Sequence, residues 1–333
     1  MNNELPTFRL GIAGFASDEQ QAIERVLHSG AGEAATWEVG DADNADAWWL
    51  NGARTQSVGG GRIRVAPAIP TAHALQMHLP DIDRPVAFAE PVPPGVEARC
   101  KFNLEAPGTM KAVLQQFDAW FAPVVAQFCL ASHVVEHQSA LGAGQFELRV
   151  NSELLAVVDM HGDAAVRGTA GPADFEEAVW SRAAGGPMPE NFVHSSLSQL
   201  MWQYALRTQR DVLPRHYRTG LLYFRRAPRL PQSLLKDSHL LVMRELVLAP
   251  GTFADLMQRC GMDDARLARE LAALYFVGSI TSNPKRAARA PNEPSTRSHL
   301  VTVPDSEAPA DSKPLRQVGL YDLTAPAPLR PDR

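Results

Sequence analysis

Cysteine is scarce in this chain: Cys100, Cys129 and Cys260 are the only three in 333 residues, and they lie far apart. An odd, scattered set fits neither a disulfide framework nor a zinc site, and it suits a reducing compartment. An excess of positive charge is lacking too. Thirty-two basic residues against 37 acidic ones leave a net charge of −5, which argues against a protein coated for nucleic acid or anionic membrane. No apolar run reaches 18 residues, so no membrane-spanning segment is expected. The opening MNNELPTFRLGIAGFASDEQ has no basic stretch leading into a long apolar one, so no signal peptide is read and a cytoplasmic protein is expected. G-x-S-x-G, P-loop, C-x-x-C and G-x-G-x-x-G patterns are all missing. Gly59-Gly60-Gly61 reads as a loop, and no internal repeat is found.

What is present is an ordinary globular balance, 45% hydrophobic and 21% charged, with enough length for two or three domains. Such a chain can bury a core without metal or disulfide staples. Residues 1–95 alternate strand and helix signals. RLGIAGF (9–15) suits a buried strand, with Ser17 as N-cap of the helix DEQQAIERVLHSG. ATWEV (35–39), ADAWWL (45–50), RIRV (62–65) and VAF (86–88) add strands, which points to an α/β layer. Residues 96–140 form a helical connector in which Val113, Phe117, Trp120, Val124, Phe128 and Leu130 recur near the helical period. Pro123 is expected to kink or split it. Residues 141–231 read as an α+β middle: a hairpin turning at Asn151-Ser152, a proline-led helix over 172–183, a helix over 195–210 and a strand, GLLYF. Residues 232–282 give three helices, stopped at Ala249-Pro250-Gly251, Gly261 and Gly278 and capped by Thr252 and Asp263. From 283 to 333 nine prolines and few large apolar residues mark a disordered tail. Its island QVGLYDLTAPAPLRP is the one segment apolar enough to dock.

The first of these regions resembles a response-regulator receiver, a flavodoxin-like doubly wound fold. LGIAGF matches the first strand, DAWWLNGA the third and AFAEP the last. In that family an acid pair after the first strand binds Mg²⁺, an aspartate accepts the phosphoryl group and a lysine contacts it. Here Asp18 and Glu19 stand inside the helix, Asn51 replaces the aspartate and Glu90 the lysine. An amide cannot be phosphorylated in this way, so the resemblance implies a pseudo-receiver, the fold kept and the switch lost. An unrelated α/β domain with strands in a similar order is the alternative.

Residues 232–282 resemble a winged-helix module of bacterial regulators, carried by Thr252, Asp255-Leu256, Cys260-Gly261, Leu267, Leu271, Leu274, Gly278 and Ile280. Arg266 and Arg269 on the third helix are offset by Asp263, Asp264 and Glu270. DNA binding is therefore not favoured, and use as a packing or protein-binding module is.

Two further groups carry chemistry on paper. Arg207, Arg210, Arg215, Arg218, Arg225, Arg226 and Arg229 face one acid, Asp211, across the same stretch. Guanidinium forks suit phosphates and carboxylates, so this set is either a phosphate- or nucleotide-binding site or a group of arginines paired with acids elsewhere. His133 to His137 spells H-x-x-E-H, a zinc-protease helix pattern. A hairpin follows where a third ligand would be needed, so a solvent-facing helix end is expected and no metal. The combined expectation is a non-enzymatic bacterial regulatory or adaptor protein with no cofactor and a protein partner. The alternative is a regulator gated by a phosphate-bearing ligand or DNA.

Overall fold

The segment TFRLGIA forms β1 (Thr7–Ala13), followed by α1 (Ser17–His28), β2 (Thr36–Val39) and β3 (Ala47–Asn51). Next come β4 (Thr55–Gly59), β5 (Arg62–Val65), β6 (Leu75–His78), β7 (Val86–Ala89) and β8 (Cys100–Phe102). The structure, a computed structural model, describes residues 4–29, 34–40, 44–69 and 73–288. Five of these strands make a fully parallel sheet in the order β2-β1-β3-β7-β8. Counted within the sheet, the order is 2-1-3-4-5.

Both faces of this sheet are buried. Phe8, Leu10, Trp49 and Phe102 face α1 and the long helix that follows β8. Trp48, Leu50 and Phe88 face Ile63 and Val65 of β5. Two covered faces explain why AWWL and VAFA are unbroken apolar runs. The second face is covered by a β-layer, not by helices. RIRV, expected beside the other strands, is instead the middle of an antiparallel sheet β4-β5-β6. The short stretch between Asn51 and Arg62 cannot hold the dozen or more residues that a parallel crossover needs. The N-cap of α1 is Ala16, not Ser17, and its amide donates to the Glu19 carboxylate at 2.7 Å.

α2 (Pro107–His137) runs unbroken through Pro123. Met110, Val113 and Phe117 before the proline and Val125, Phe128 and Cys129 after it enter the same core. Burial along both halves offsets the one intrahelical hydrogen bond that proline forgoes. α2 is long and apolar enough to cross a membrane by length and composition, and 56% of its most apolar window is buried inside the protein.

The chain continues through β9 (Gln145–Val150), β10 (Glu153–Asp159), β11 (Asp163–Val166), α3 (Pro172–Glu176), β12 (Val179–Arg182) and β13 (Val193–Ser196). These strands form an antiparallel sheet, β12-β9-β10-β11-β13, on the far side of α2. Asn151 and Ser152 turn the β9–β10 hairpin with φ of 47° and 71°, the sign a two-residue hairpin turn favours. The proline-led helix is shorter than expected because β12 begins at Val179.

α4 (Leu197–Arg207), α5 (Arg215–Thr219), β14 (Tyr223–Phe224), α6 (Asp237–Leu248), α7 (Phe253–Cys260), α8 (Asp264–Phe276) and β15 (Ile280–Thr281) complete the described chain. Thr252 and Asp263 cap α7 and α8 through side-chain acceptors, and Gly261 ends α7 at φ +63°. The helical core draws Trp202, Ala205, Leu213, Tyr217 and Leu222 from upstream of α6. β14 pairs antiparallel with β15. The proposed tail over 283–333 lies outside the described residues from 289 onward. Its first residues are placed: the Ala288 amide donates to the Phe224 carbonyl at 2.8 Å.

Candidate functional site

Parallel sheets of this order bind ligands beyond the carboxyl ends of the strands, where the order reverses. Here that point lies between β1 and β3, at Gly14 and Asn51. Asn51 is 5% exposed. Its Oδ1 accepts from the Ala53 amide at 3.1 Å, and its carbonyl accepts from the Thr55 hydroxyl at 2.7 Å. Its Nδ2 points at the Glu19 carboxylate, 3.3 Å away. Glu19, which the spacing placed inside the helix, thus reaches back to the strand ends. A Cβ on Gly14 would lie 2.8 Å from Val65 and 3.1 Å from the Asn51 side chain. Asn51 and Val65 of β5 close in on the carboxyl ends of β1 and β3 at this point. Glu90 is exposed.

The seven arginines do not converge. Arg210 meets Glu136 at 2.9 Å and Glu4 at 3.2 Å, and Glu4 also takes the Tyr204 hydroxyl and the Gln209 amide. Arg218 bridges Asp211 and Asp264 at 2.7 and 3.1 Å and lies over the Phe253 ring. Arg215, Arg225, Arg226 and Arg229 are exposed, and Arg226 reaches only the Val277 carbonyl. Arg210 and Arg218 line one small pocket of about 220 Å³ together with their partners Asp211 and Asp264, and of the seven Arg207 is the one that enters the larger cleft beside the parallel sheet.

That cleft, of about 620 Å³, lies between the β1–β2 side of the parallel sheet and the helices α4, α6 and α8. Six cationic side chains line it: Arg9, Arg84, Arg207, Lys236, Arg266 and Arg269. Asp46 sits at its base and accepts the Arg9 amide at 2.9 Å and Arg207 Nη2 at 2.9 Å. The Arg207 guanidinium lies 4.6 Å above the Phe8 ring. Lys236 Nζ donates to Asn44 at 3.1 Å. Burial would raise the Asp46 carboxyl, but Arg207 and the Arg9 amide hold it below its ordinary range. Burial lowers Lys236; Asp46 opposes this, and Arg9, Arg207 and Arg84 add to it. Arg9 is lowered by burial and then by Arg269, with Asp46 and Glu38 opposing. Burial is the main cause of the Lys236 and Arg9 shifts, and Glu38, Asp83, Asp263 and Glu270 line the cleft besides Asp46, so six cations face five carboxylates and leave a small positive excess. Sequence reading missed this site, because its members come from β1, the turn before β3, α4, α6 and α8.

α8 is largely buried rather than presented to solvent. It packs along α4 and buries Leu267, Ala268, Leu271, Ala272, Ala273 and Leu274. Arg266 and Arg269 line the charged cleft. At its inner wall His239 Nδ1 accepts the Lys236 amide at 2.9 Å, which leaves the ring proton on Nε2, 2.8 Å from Glu270.

His133 is 8% exposed, which corrects the expected solvent-facing helix end. Its ring packs on His137 and Phe175 at 5.4 and 5.5 Å, because α3 folds back over this end of α2. Burial and then His137 lower its basicity. Glu136 is engaged by Arg210. Among the described residues no three side chains of the metal-binding types come together.

Compared with known proteins, the chain matches no family model, no curated protein and no solved structure.

Proposed function

We propose that this is a non-enzymatic regulatory or adaptor protein of signal transduction, acting in the cytoplasm through a protein partner. Its receiver-like first region has lost phosphoryl chemistry and serves as a scaffold. The observation that carries the reading is Asn51, an amide at the phospho-acceptor position, held by Ala53 and Glu19. The 2-1-3-4-5 strand order supports the receiver-like description, and the single helical crossover through α1 is its main departure. The winged-helix-like unit is read as a packing or protein-binding module, supported by the burial of α8 against α4. Incubation with a small phosphodonor and Mg²⁺ is expected to leave the chain unmodified by intact-mass measurement. A stoichiometric, Mg²⁺-dependent acyl phosphate in residues 1–102 would overturn the proposal.

A second reading, a regulator gated by a phosphate-bearing ligand, is favoured by the cation-lined cleft around Asp46. Of the seven clustered arginines it uses Arg207 alone, with Arg9, Lys236 and Arg269. A ligand that binds only the native state stabilises it by mass action, by about 2.7 kcal/mol at a hundred times its Kd, and so raises the melting temperature. Inorganic phosphate, pyrophosphate and a nucleotide panel at low salt are expected to raise it, and a Lys236→Gln, Arg269→Gln pair to abolish the rise. If no anion shifts the melt at millimolar concentration, the cleft is a structural charge network.

A further inference from the structure

A cavity of about 820 Å³ belongs to none of these sites. It opens where the β4–β6 layer meets the N-terminal ends of β7 and β8 and the middle of α2. One wall is apolar: Ile63, Leu79, Val86, Phe88 and Phe117. Trp120 stands at the mouth with 56% of its surface exposed. Arg62, Arg84 and Arg99 stand around the same opening, against one carboxylate, Glu97. Among the described residues Arg62 and Arg99 meet no carboxylate at ion-pair distance. Cys100 lies on the floor, with its thiol donating to Gln116 at 3.3 Å.

We propose that this cleft binds a small organic anion with an aromatic body. The ring system would lie on Trp120 and beside the part-exposed Leu79 and Val86, and its carboxylate, sulfonate or phosphate would meet Arg62 and Arg99. Three chemical features select this class. An apolar cavity with a few convergent polar groups is the usual form of a small-molecule site. Arg84 lies 3.8 Å from Asp83, so Arg62 and Arg99, against the one lining carboxylate Glu97, set the sign of the ligand, since a guanidinium fork pairs with a planar oxyanion. An exposed tryptophan face adds a stacking platform for an aromatic ring. This inference does not depend on the phosphoryl-dead scaffold or on the charged cleft, and it uses none of their cations except Arg84, which borders both cavities.

The probe is 1-anilinonaphthalene-8-sulfonate, with its neutral counterpart N-phenyl-1-naphthylamine as the uncharged control, titrated into the full chain. Saturable binding of one probe per chain is expected. An Arg62→Gln, Arg99→Gln pair should weaken the sulfonate by about tenfold or more and leave the neutral compound unchanged, since charge-assisted hydrogen bonds are the stronger kind. Trp120→Ala should weaken both. These residues are exposed, so melting temperatures close to the parent are expected, which separates site loss from unfolding. In the unaltered protein the sulfonate should slow alkylation of Cys100, read by peptide mass, without changing the rate at Cys260. The proposal is overturned by non-saturable binding, by affinities that neither variant moves, or by Cys100 alkylating at the same rate with and without probe.

Discussion

Replacing Asp46 with alanine is expected to destabilise the protein by about 3–5 kcal/mol, the range for removing one partner of a buried ion pair. Asp46 and Arg207 are 14% and 13% exposed, so water screens the pair little. The substitution strands three groups at once: the Arg207 guanidinium, the Arg9 amide and the surplus of nearby cations. An Arg207→Met change should cost less, because Asp46 keeps the Arg9 amide and methionine can still cover Phe8. The pH dependence follows from the direction of the Asp46 shift. Its folded value is depressed below the ordinary 3.8, so the unfolded chain takes up the proton first as the solution is acidified. The contribution is full at neutral pH and is lost as pH falls from the ordinary value through the folded one. Urea melts of the two proteins should therefore differ most at pH 7 and converge toward pH 3. A gap that stays constant across that interval would show that Asp46 acts through packing, not charge.

Trp202→Ala is expected to cost a further large amount, about 3–5 kcal/mol, typical of deleting a fully buried large aromatic. Trp202 belongs to α4, outside the 232–282 region, yet it has no exposed surface and lies 4.5 Å from the His239 ring of α6. The same core takes Leu213, Tyr217 and Leu222 from before α6, and β15 has its partner in β14. A fragment of residues 232–282 alone lacks all of these. It should show little helix by circular dichroism, whereas a fragment that begins at 195 retains the α4–α8 contact. A cooperative melt from the 232–282 fragment would make that unit an autonomous module and would remove the reason for Trp202 to matter to it.

Local chemistry was readable along the chain wherever one residue type decides one piece of geometry. Thr252 and Asp263 cap their helices as their positions indicate, Gly261 supplies the left-handed turn, and Asn151-Ser152 turn the β9–β10 hairpin. The apolar runs RLGIA, AWWL and VAF identify buried strands, because only a sheet covered on both faces tolerates them. The sequence also states the chemistry that is absent at Asn51, since no tertiary arrangement turns an amide into a phospho-acceptor.

Tertiary structure decided what depends on partners distant in the chain. RIRV alternates like any half-buried strand, and only the assembled layers show that it covers a sheet instead of joining it. Pro123 argues locally for a break, and burial of both halves of α2 overrides that preference. Arginines adjacent in sequence are dispersed, because α4, α5 and β14 point them at Asp46, Glu136, Asp211 and solvent in turn. Conversely, Arg9, Asp46, Arg207, Lys236 and Arg269 become neighbours only when α4, α6 and α8 close over the sheet. Composition and periodicity report what each segment wants to bury. Which charges end up confined together is set by packing between elements that the chain keeps up to two hundred residues or more apart, as Glu4 and Gln209 are.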